Sequence, residues 1–395
     1  MGSSSLTCLF LGSCLCWSLC VVSANGVWTS DFSARLDVLD ESLKRKEANL
    51  LETKRNLTLM LEIDKRANQR YVRRAAIDVG SAACKLQVAE VDMMSEDYPI
   101  IVKVMHEEKV NLLLGEDLER SATDKFSDKI LQELKHVLVD FKNVASQQGA
   151  EEIAGVATAA FRRAKNGYSF LAEVSKELEM KLKVVDAETE CSLGFLTGTN
   201  LRRDVKPWDL IVWDSGGGSF QISSQFGDKF EMWHCPVGSA LATSTLITQI
   251  QGCDFKTKFS ANPVSVADAQ SLTKSLLGMI GSPPLWLQLK LREPGITVIG
   301  IGGDTSIFNL AREVTGKTTF CRTDVLDSLE LLCGKTDLEL RLMEDVQAAQ
   351  LQPHNVIPKL VLLFSVMEAL KCDAVTYGAC NGNTAGVLMH PKVWK

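Results

Sequence analysis

Two glycine turns, each preceded by an aspartate at the end of an apolar run, most constrain the fold that this chain can adopt. The first run ends at Asp78 and continues as Val-Gly-Ser, and the second ends at Asp214 and continues as Ser-Gly-Gly-Gly-Ser. Glycines between two strands let the backbone approach a ligand closely, and the amides of such a turn form a nest for anions such as phosphate. An aspartate beside phosphate requires a cation or a water between them. The paired turns therefore predict a metal–phosphate site.

Around each turn the chain repeats one order of predicted elements, strand-turn-strand-strand-helix-strand-helix. In the first half the spacing predicts strands over 75–77, 85–91, 98–104, 153–156 and 182–185, with helices over 124–148, 167–180 and 188–196. In the second half it predicts strands over 210–213, 220–223, 230–234, 296–301 and 372–376, with helices over 239–249 and 266–280. We expect an α/β protein with two lobes, 73–198 and 207–395, a polar linker at 198–207, and a ligand in the cleft between the lobes.

Composition excludes two classes of function. The 395 residues carry a net charge of -6, so we predict no nucleic-acid partner held by a general basic field. The twelve cysteines include no CxxC pair or histidine partner at zinc spacing, which excludes a metal finger. Disulfide pairing and buried free thiols both remain consistent with the sequence.

The N-terminus resembles a targeting segment. Residues 6–22 are apolar, and small residues suited to signal-peptidase cleavage follow at 22–24. We predict a cleaved signal peptide over 1–24, with an uncleaved signal anchor as the alternative. Either interpretation places the protein in the secretory pathway, whether lumenal, vacuolar or extracellular.

Residues 25–72 are predicted to form a helical arm. Between residues 31 and 70 there is no proline, leucines recur, and charged residues fill the gaps, which is typical of an amphipathic helix. Two interpretations stay open. The helix either forms a short coiled coil, which would give a homodimer, or lies on the protein's own surface.

Three further groups of residues have both a chemical and a structural interpretation. Arg162 follows a predicted strand, where a guanidinium can clamp phosphate or form part of a solvated basic loop. Glu190 lies at the acidic start of a helix, where it can activate water or simply favour the helix N-terminus. Gly300, Gly302 and Gly303 form a turn that can hold a ribose or phosphate, or a tight strand–helix connection.

Six motifs in order resemble one family. They are Ile-Asp-Val-Gly-Ser at 77–81, Ala-Thr-Ala-Ala-Phe-Arg at 157–162, Glu-Thr-Glu at 188–190, Trp-Asp-Ser-Gly-Gly-Gly-Ser at 213–219, Pro-Val-Gly at 236–238 and Gly-Ile-Gly-Gly at 300–303. The series is similar to the exopolyphosphatase / guanosine-pentaphosphate phosphohydrolase (Ppx/GppA) family. That family belongs to the actin, heat-shock-chaperone and sugar-kinase superfamily, whose two lobes are ribonuclease-H-like.

The resemblance implies a hydrolase acting on inorganic polyphosphate or a guanosine polyphosphate, with Mg²⁺ or another divalent cation. It implies that Glu190 is the general base and that Asp78 and Asp214 bind the metal or position the water, with Gln221 as a further metal ligand. The residues implied to bind phosphate are Gly80, Ser81, Arg162, Gly216, Gly217, Gly218 and Ser219. The glycines of the 300–303 turn would contact the nucleotide or substrate.

The chain also departs from the pattern that it resembles. Ala82 and Ala83 replace two polar residues of the first turn, Gln221 replaces an acidic residue, and Pro-His-Asn at 353–355 replaces Arg-Ala-Asp. The alternative to a hydrolase is therefore a binding protein of the same fold, catalytically weakened, that holds polyphosphate or a nucleotide.

Overall fold

The computed structural model describes residues 30–94, 99–119, 121–226, 229–255 and 257–395. The chain forms two units, Met1–Gln69 and Arg70–Lys395. The predicted signal peptide at 1–24 lies outside the described residues. Within the described ranges, no helix combines the length and the apolar character needed to cross a membrane.

The predicted arm is a single helix, α1 (Ser30–Arg70). It has no proline or glycine to interrupt it, and pairs such as Asp40 and Lys44 lie one turn apart and form ion pairs. Large apolar side chains along it are exposed, namely Val38, Leu39, Leu43, Leu50, Leu51, Leu57, Leu59 and Met60. The helix is confirmed, and the homodimer stays a prediction.

The first sheet has five strands, β1 (Tyr71–Val79), β2 (Ala83–Asp92), β3 (Ile100–Asn111), β4 (Glu152–Ala157) and β5 (Lys181–Val184). Their order is β3-β2-β1-β4-β5, so β1 lies at the centre. It pairs antiparallel with β2 and parallel with β4. β1 is buried from Arg74 to Val79 and mostly apolar there, as expected for a central strand that is covered on both faces.

Five helices accompany this sheet, α2 (Leu114–Glu119), α3 (Asp128–Gln147), α4 (Ala159–Arg163), α5 (Gly167–Glu177) and α6 (Ala187–Leu201). The predicted start of α3 at residue 124 is wrong, because Asp124 has φ 58° and Ser127 caps the helix by accepting from the amide of Ile130. The helix α6 continues through residues assigned to the linker, because Gly198 packs closely on Val212. The two lobes are thus joined by a short segment after Leu201.

The second sheet repeats the first. Its strands are β6 (Leu210–Ser215), β7 (Phe220–Phe226), β8 (Lys229–Cys235), β9 (Thr297–Gly302), β10 (Thr319–Cys321) and β11 (Ala374–Ala379). They lie in the order β10-β11-β9-β6-β7-β8, so β6 occupies the position that β1 has in the first sheet. The pairings also agree, since β6 is antiparallel to β7 and parallel to β9. The short edge strand β10 was not predicted.

The helices of the second half are α7 (Ser239–Thr245), α8 (Val266–Ile280), α9 (Leu285–Lys290), α10 (Ile307–Thr315), α11 (Arg322–Leu332), α12 (Asp337–Leu342), α13 (Glu344–Ala348) and α14 (Val356–Leu370). A π-helical turn, Leu246–Ile250, follows α7, and 3-10 turns lie at Pro207–Asp209 and Pro353–Asn355. The helix α14 is apolar almost all round and lies in the core.

The last two helices, α15 (Thr384–Met389) and α16 (Pro391–Trp394), pack on the first sheet rather than the second. Val387, Leu388 and Trp394 join a buried cluster with Ala76 and Val91 of the first sheet. Gly386 permits this crossing, since a Cβ there would lie 2.1 Å from the carbonyl oxygen of Leu193. The predicted lobe 207–395 therefore does not include its final dozen residues.

Candidate active site

The ends of the two central strands face one cleft. Its cavity volume is about 210 Å³, and both predicted glycine turns line it. Carboxylates, hydroxyls and lysines line the remaining walls, among them Asp78, Asp214, Glu190, Ser215, Lys85, Lys109 and Lys359. The residues predicted from two distant stretches of sequence thus lie in a single site.

Asn383 connects the two aspartates. Its backbone amide donates to Asp78 Oδ2 at 3.0 Å, and its side-chain Nδ2 donates to Asp214 Oδ2 at 3.3 Å. Lys85 Nζ lies 3.8 Å from the same oxygen of Asp78. Burial raises the pKa of Asp214, while Lys85 and the hydrogen bond from Asn383 oppose that rise. One residue therefore fixes both carboxylates at the end of their strands.

Glu190 occupies the first turn of α6. Asp186 caps this helix by accepting from the amide of Thr189 at 2.7 Å, which directs the turn toward the cleft. Glu190 is buried, with 8% of the residue exposed. Burial raises the pKa of Glu190 to about 7, even though the Arg162 guanidinium lowers it. A carboxyl with such a pKa can accept a proton near neutral pH.

Arg162 lies beside Glu190 rather than along the cleft wall. Its Nη1 is 2.7 Å from Glu190 Oε2 and also donates to the carbonyl oxygen of Val185 at 2.9 Å. The ion-pair contact lacks the alignment of a hydrogen bond, so the buried Oε2 has no hydrogen-bond donor among the described residues. The predicted phosphate ligand is thus a charge partner of the predicted base in this structure.

The second glycine turn is closed against the start of α7. The amide of Gly216 donates to the carbonyl of Ser219, and the amides of Ser239 and Ala240 donate to the carbonyls of Gly216 and Gly217. Among the described residues, the amides of Gly217 and Gly218 have no acceptor, and both glycines line the cleft. They provide the free donors that an anion nest requires.

The first turn is built in a similar way. The amide of Gly80 donates to the carbonyl of Ala83 at 3.0 Å, and the amide of Gly115 donates to the carbonyl of Ser81 at 2.7 Å. Gly80, Ser81, Ala82 and Ala83 all line the cleft. The turn itself is therefore kept despite the two alanines, which remove only side-chain hydroxyls or amides.

Gln221 and Ser219 interact with each other at the base of the second turn. Both are buried, and Gln221 Nε2 donates to Ser219 Oγ at 2.9 Å. The oxygen of Gln221 is left as the only atom of the side chain that can contact a cation. An amide oxygen brings no negative charge, so any metal at this position would be held weakly.

Only part of the third predicted turn, at 300–303, lies at the cleft. Gly302 and Gly303 line the cleft. Gly300 does not, because it lies inside β9, where a Cβ would be 2.2 Å from the ring of Phe308. Its prediction as a substrate contact is wrong, since the glycine instead makes room for a core phenylalanine that packs edge-on against Trp213.

Three buried polar atoms of residues that line the cleft lack a hydrogen-bond partner among the described residues, namely Glu190 Oε2, Ser215 Oγ and Asn383 Oδ1. Unpartnered buried polar atoms are costly, so this cluster points to a polar ligand. No group of three or more His, Cys, Asp or Glu residues in the described ranges has metal-site geometry. Asp78 and Asp214 nevertheless fit Mg²⁺, which at phosphate sites commonly uses one or two carboxylates with waters and substrate oxygens.

The prediction missed several polar residues of the cleft, among them Lys85, Lys109, Lys359 and Asn383. A signal existed for Asn383, because the sequence Asn-Gly-Asn-Thr at 381–384 follows a predicted strand as the other site turns do. No local pattern distinguishes the lysines. Their proximity depends on packing between elements that are remote in sequence.

Two cysteines lie at the site, Cys191 in the sequence beside Glu190 and Cys380 in the lining of the cleft. The eight cysteines of the described residues are free thiols. Burial raises the pKa of Cys191, which adjoins Glu190, to about 12, and that of Cys380 in the cleft also to about 12. Thiols with such pKa values are not thiolates at neutral pH.

The duplicated lobes with paired glycine turns define a two-lobe protein of the actin-like fold. Residues 88–245 match the model of the Ppx/GppA phosphatase family, the family that the sequence motifs resemble. The fold is similar to that of an Aquifex aeolicus Ppx/GppA enzyme (TM-score 0.61, 20% identity, covering 80% of this chain and 99% of that chain). It is also similar to an exopolyphosphatase from Cytophaga hutchinsonii (TM-score 0.59, 16% identity, covering 80% and 96%).

Two curated proteins match part of the chain. A bifunctional 3-dehydroquinate synthase/phosphatase of Fusobacterium nucleatum is 27% identical over 153 residues, which is 38% of this chain and 22% of that protein. Exopolyphosphatase 1 of Mycobacterium leprae is 27% identical over 179 residues, 44% of this chain and 49% of that protein. The chain therefore matches half or less of the length of these relatives.

Proposed function

We propose that this protein hydrolyses the terminal phosphoanhydride of inorganic polyphosphate, with Glu190 as the general base. The observation that carries the proposal is the position of Glu190, buried at the cleft, with a pKa of about 7 and an oxygen lacking a hydrogen bond. The match to a phosphatase family and the similarity to an exopolyphosphatase support this class of reaction.

The size of the cleft favours polyphosphate over a guanosine polyphosphate. Its volume of about 210 Å³ is below the roughly 300–1,000 Å³ of pockets that enclose a drug-sized ligand. The walls present amides, hydroxyls and lysines that can bind phosphate oxygens. The end of a phosphate chain fits such a cleft better than a guanine ring does.

In the proposed reaction a water oxygen attacks the terminal phosphorus while Glu190 accepts the water proton. The bond between that phosphorus and the bridging oxygen breaks, and the shortened chain leaves with the bonding electron pair. Charge spreads over the phosphoryl oxygens in the transition state, so the free amides of Gly217 and Gly218 stabilise it. Arg162 orients the Glu190 carboxylate through the 2.7 Å contact.

Asp78 and Asp214 would hold a divalent cation, and Asn383 fixes both carboxylates for that role. When bound, the cation would neutralise the charge of the phosphate oxygens. Without it, the two carboxylates would repel the substrate, and Lys85 beside Asp78 offsets only part of that repulsion.

A phosphate-release assay tests the proposed substrate. We expect release from long-chain polyphosphate, with kcat/KM at least tenfold higher than for guanosine pentaphosphate or ATP, in the presence of Mg²⁺. The reason is that the nucleoside gains few contacts in a cleft of this size. Faster phosphate release from guanosine pentaphosphate than from polyphosphate would show that the nucleotide is the preferred substrate and would contradict the proposal.

Gln221 favours a second candidate, a polyphosphate-binding protein without turnover. Its amide donates to Ser219, where a carboxylate would add negative charge for a metal. This candidate predicts tight polyphosphate binding with no phosphate release under Mg²⁺, Mn²⁺ or Ca²⁺. Restoring the charge by Gln221→Glu would then raise turnover from undetectable to measurable.

The pH dependence follows from Glu190. The base acts only when deprotonated, so kcat/KM should fall tenfold for each pH unit below the pKa of about 7 and level off above it. Rates measured between pH 5 and pH 8 at constant ionic strength check this. A profile that is flat from pH 5 to pH 7 would contradict a base with a pKa near 7.

A further inference from the structure

Two lysines from opposite lobes converge on one residue of the cleft. Lys109 is on β3 of the first sheet, and Lys359 is on the first half of α14 in the second lobe. Lys109 Nζ lies 3.4 Å from Thr305 Oγ1, and Lys359 Nζ donates to the carbonyl oxygen of Thr305. Both lysines and Thr305 line the cleft.

Neither ammonium group has a carboxylate partner in the described part of the chain. Each is partly buried, and the two repel each other. Buried charges are normally paired, as is the ammonium of Lys290, which lies 2.9 Å from Glu293 Oε2. An arrangement of two like charges around one hydroxyl and one carbonyl lacks its counter-ion.

We propose that Lys109 and Lys359 form a second phosphate subsite, which binds the phosphate groups behind the terminal one in a polyphosphate chain. The inference rests on the proposed function, and it assigns the interior phosphates to residues outside the two glycine turns. Since the lysines belong to different lobes, a bound chain at this subsite also connects the lobes across the cleft.

The electrostatics of the lysines agree with this assignment. Burial and repulsion from Lys109 lower the pKa of Lys359 to about 8, and burial and repulsion from Lys85 lower the pKa of Lys109. Asp304 also lies near Lys109, and His354 lies near Lys359, with Asp337 and Glu116 near His354. An anion favours the protonated lysine, so binding should be strongest below pH 8 and weaken as the pH rises above it.

Calorimetric titration of tripolyphosphate into the full-length Glu190→Gln protein measures binding without turnover. We expect Lys359→Met and Lys109→Met, added singly, to weaken binding about 10- to 100-fold, as for the loss of a charged hydrogen bond. Lys359→Arg should keep affinity within about threefold at pH 7. It should also reduce the loss of affinity between pH 7 and pH 9.5, because arginine stays protonated.

Lys317→Met is the matched control for net charge. Lys317 pairs with Asp324 at 2.7 Å and is not among the residues that line the cleft, so its removal should leave affinity within twofold. Thermal unfolding of each variant identifies loss of folding, and Lys359→Arg tests the charge without removing it.

The outcomes separate the inference from the proposed function. If the parent protein binds tripolyphosphate and both methionine variants bind it equally well, the lysine subsite is wrong and the proposed function stands. A parent protein that binds no tripolyphosphate, and whose wild-type form releases no phosphate, would overturn both. An affinity that does not change between pH 7 and pH 9.5 would also contradict the role of Lys359.

Discussion

Replacing Glu190 by glutamine should lower kcat for polyphosphate hydrolysis by about 10²- to 10⁴-fold, the usual contribution of a general base. Glutamine has nearly the same shape, so the packing at the start of α6 is kept. The amide cannot accept the water proton at neutral pH. KM should change little, because the nest amides and the lysines remain. Steady-state phosphate release with long-chain polyphosphate measures both constants.

Glu188→Gln is the matched control, since Glu188 lies on the same helical turn but is exposed. The substitution removes the same charge near the same helix N-terminus, and we expect rates within twofold of wild type. The pH profile gives an independent check, because the limb with a midpoint near 7 should be missing from the residual rate of Glu190→Gln. If Glu190→Gln is folded and as active as Glu188→Gln, another group activates the water.

The local sequence was sufficient to predict the two glycine turns and the strands that precede them. Asp78 and Asp214 are adjacent in sequence to their glycines, and an apolar run before a glycine turn predicts a strand end without reference to the rest of the chain. The repeated order of elements then predicted two lobes, and the strand order of the first sheet recurs in the second, which adds the edge strand β10. The strand and the glycine turn that identify Asp78 and Asp214 are thus adjacent to these residues in sequence.

The remaining features depend on contacts between distant segments. Asn383 joins Asp78 and Asp214 across intervals of 305 and 169 residues, and the helix that follows Asn383 returns to the first sheet. Gly300 illustrates a false assignment to the site. The sequence alone does not distinguish a glycine that makes room for a ligand from one that, like Gly300, makes room for a core side chain such as Phe308. A sequence pattern can indicate that some group packs closely against a glycine, but it does not indicate whether that group is a ligand or a side chain of the core.

Gly238 determines the position of the second glycine turn although it lies outside it. A Cβ at Gly238 would be 2.3 Å from the carbonyl oxygen of Gly217, a distance at which backbone must move. The amides of Ser239 and Ala240 also bind the turn to α7, so any shift of this segment displaces the nest. Gly238→Ala should therefore misplace the free amides of Gly217 and Gly218.

We expect Gly238→Ala to lower kcat/KM for polyphosphate at least 100-fold, because a displacement of about 1 Å in a positioning group costs that much. The measurement is made at a temperature where thermal unfolding shows the variant to be folded, so that lost activity reports the turn and not the fold. Gly278→Ala in the helix α8 is the control, since a Cβ there meets no atom within 4 Å and alanine favours the helix. Equal activity of the two variants would mean that the nest does not contact the reacting phosphate, and the hydrolysis would then depend on Glu190 and the aspartates alone.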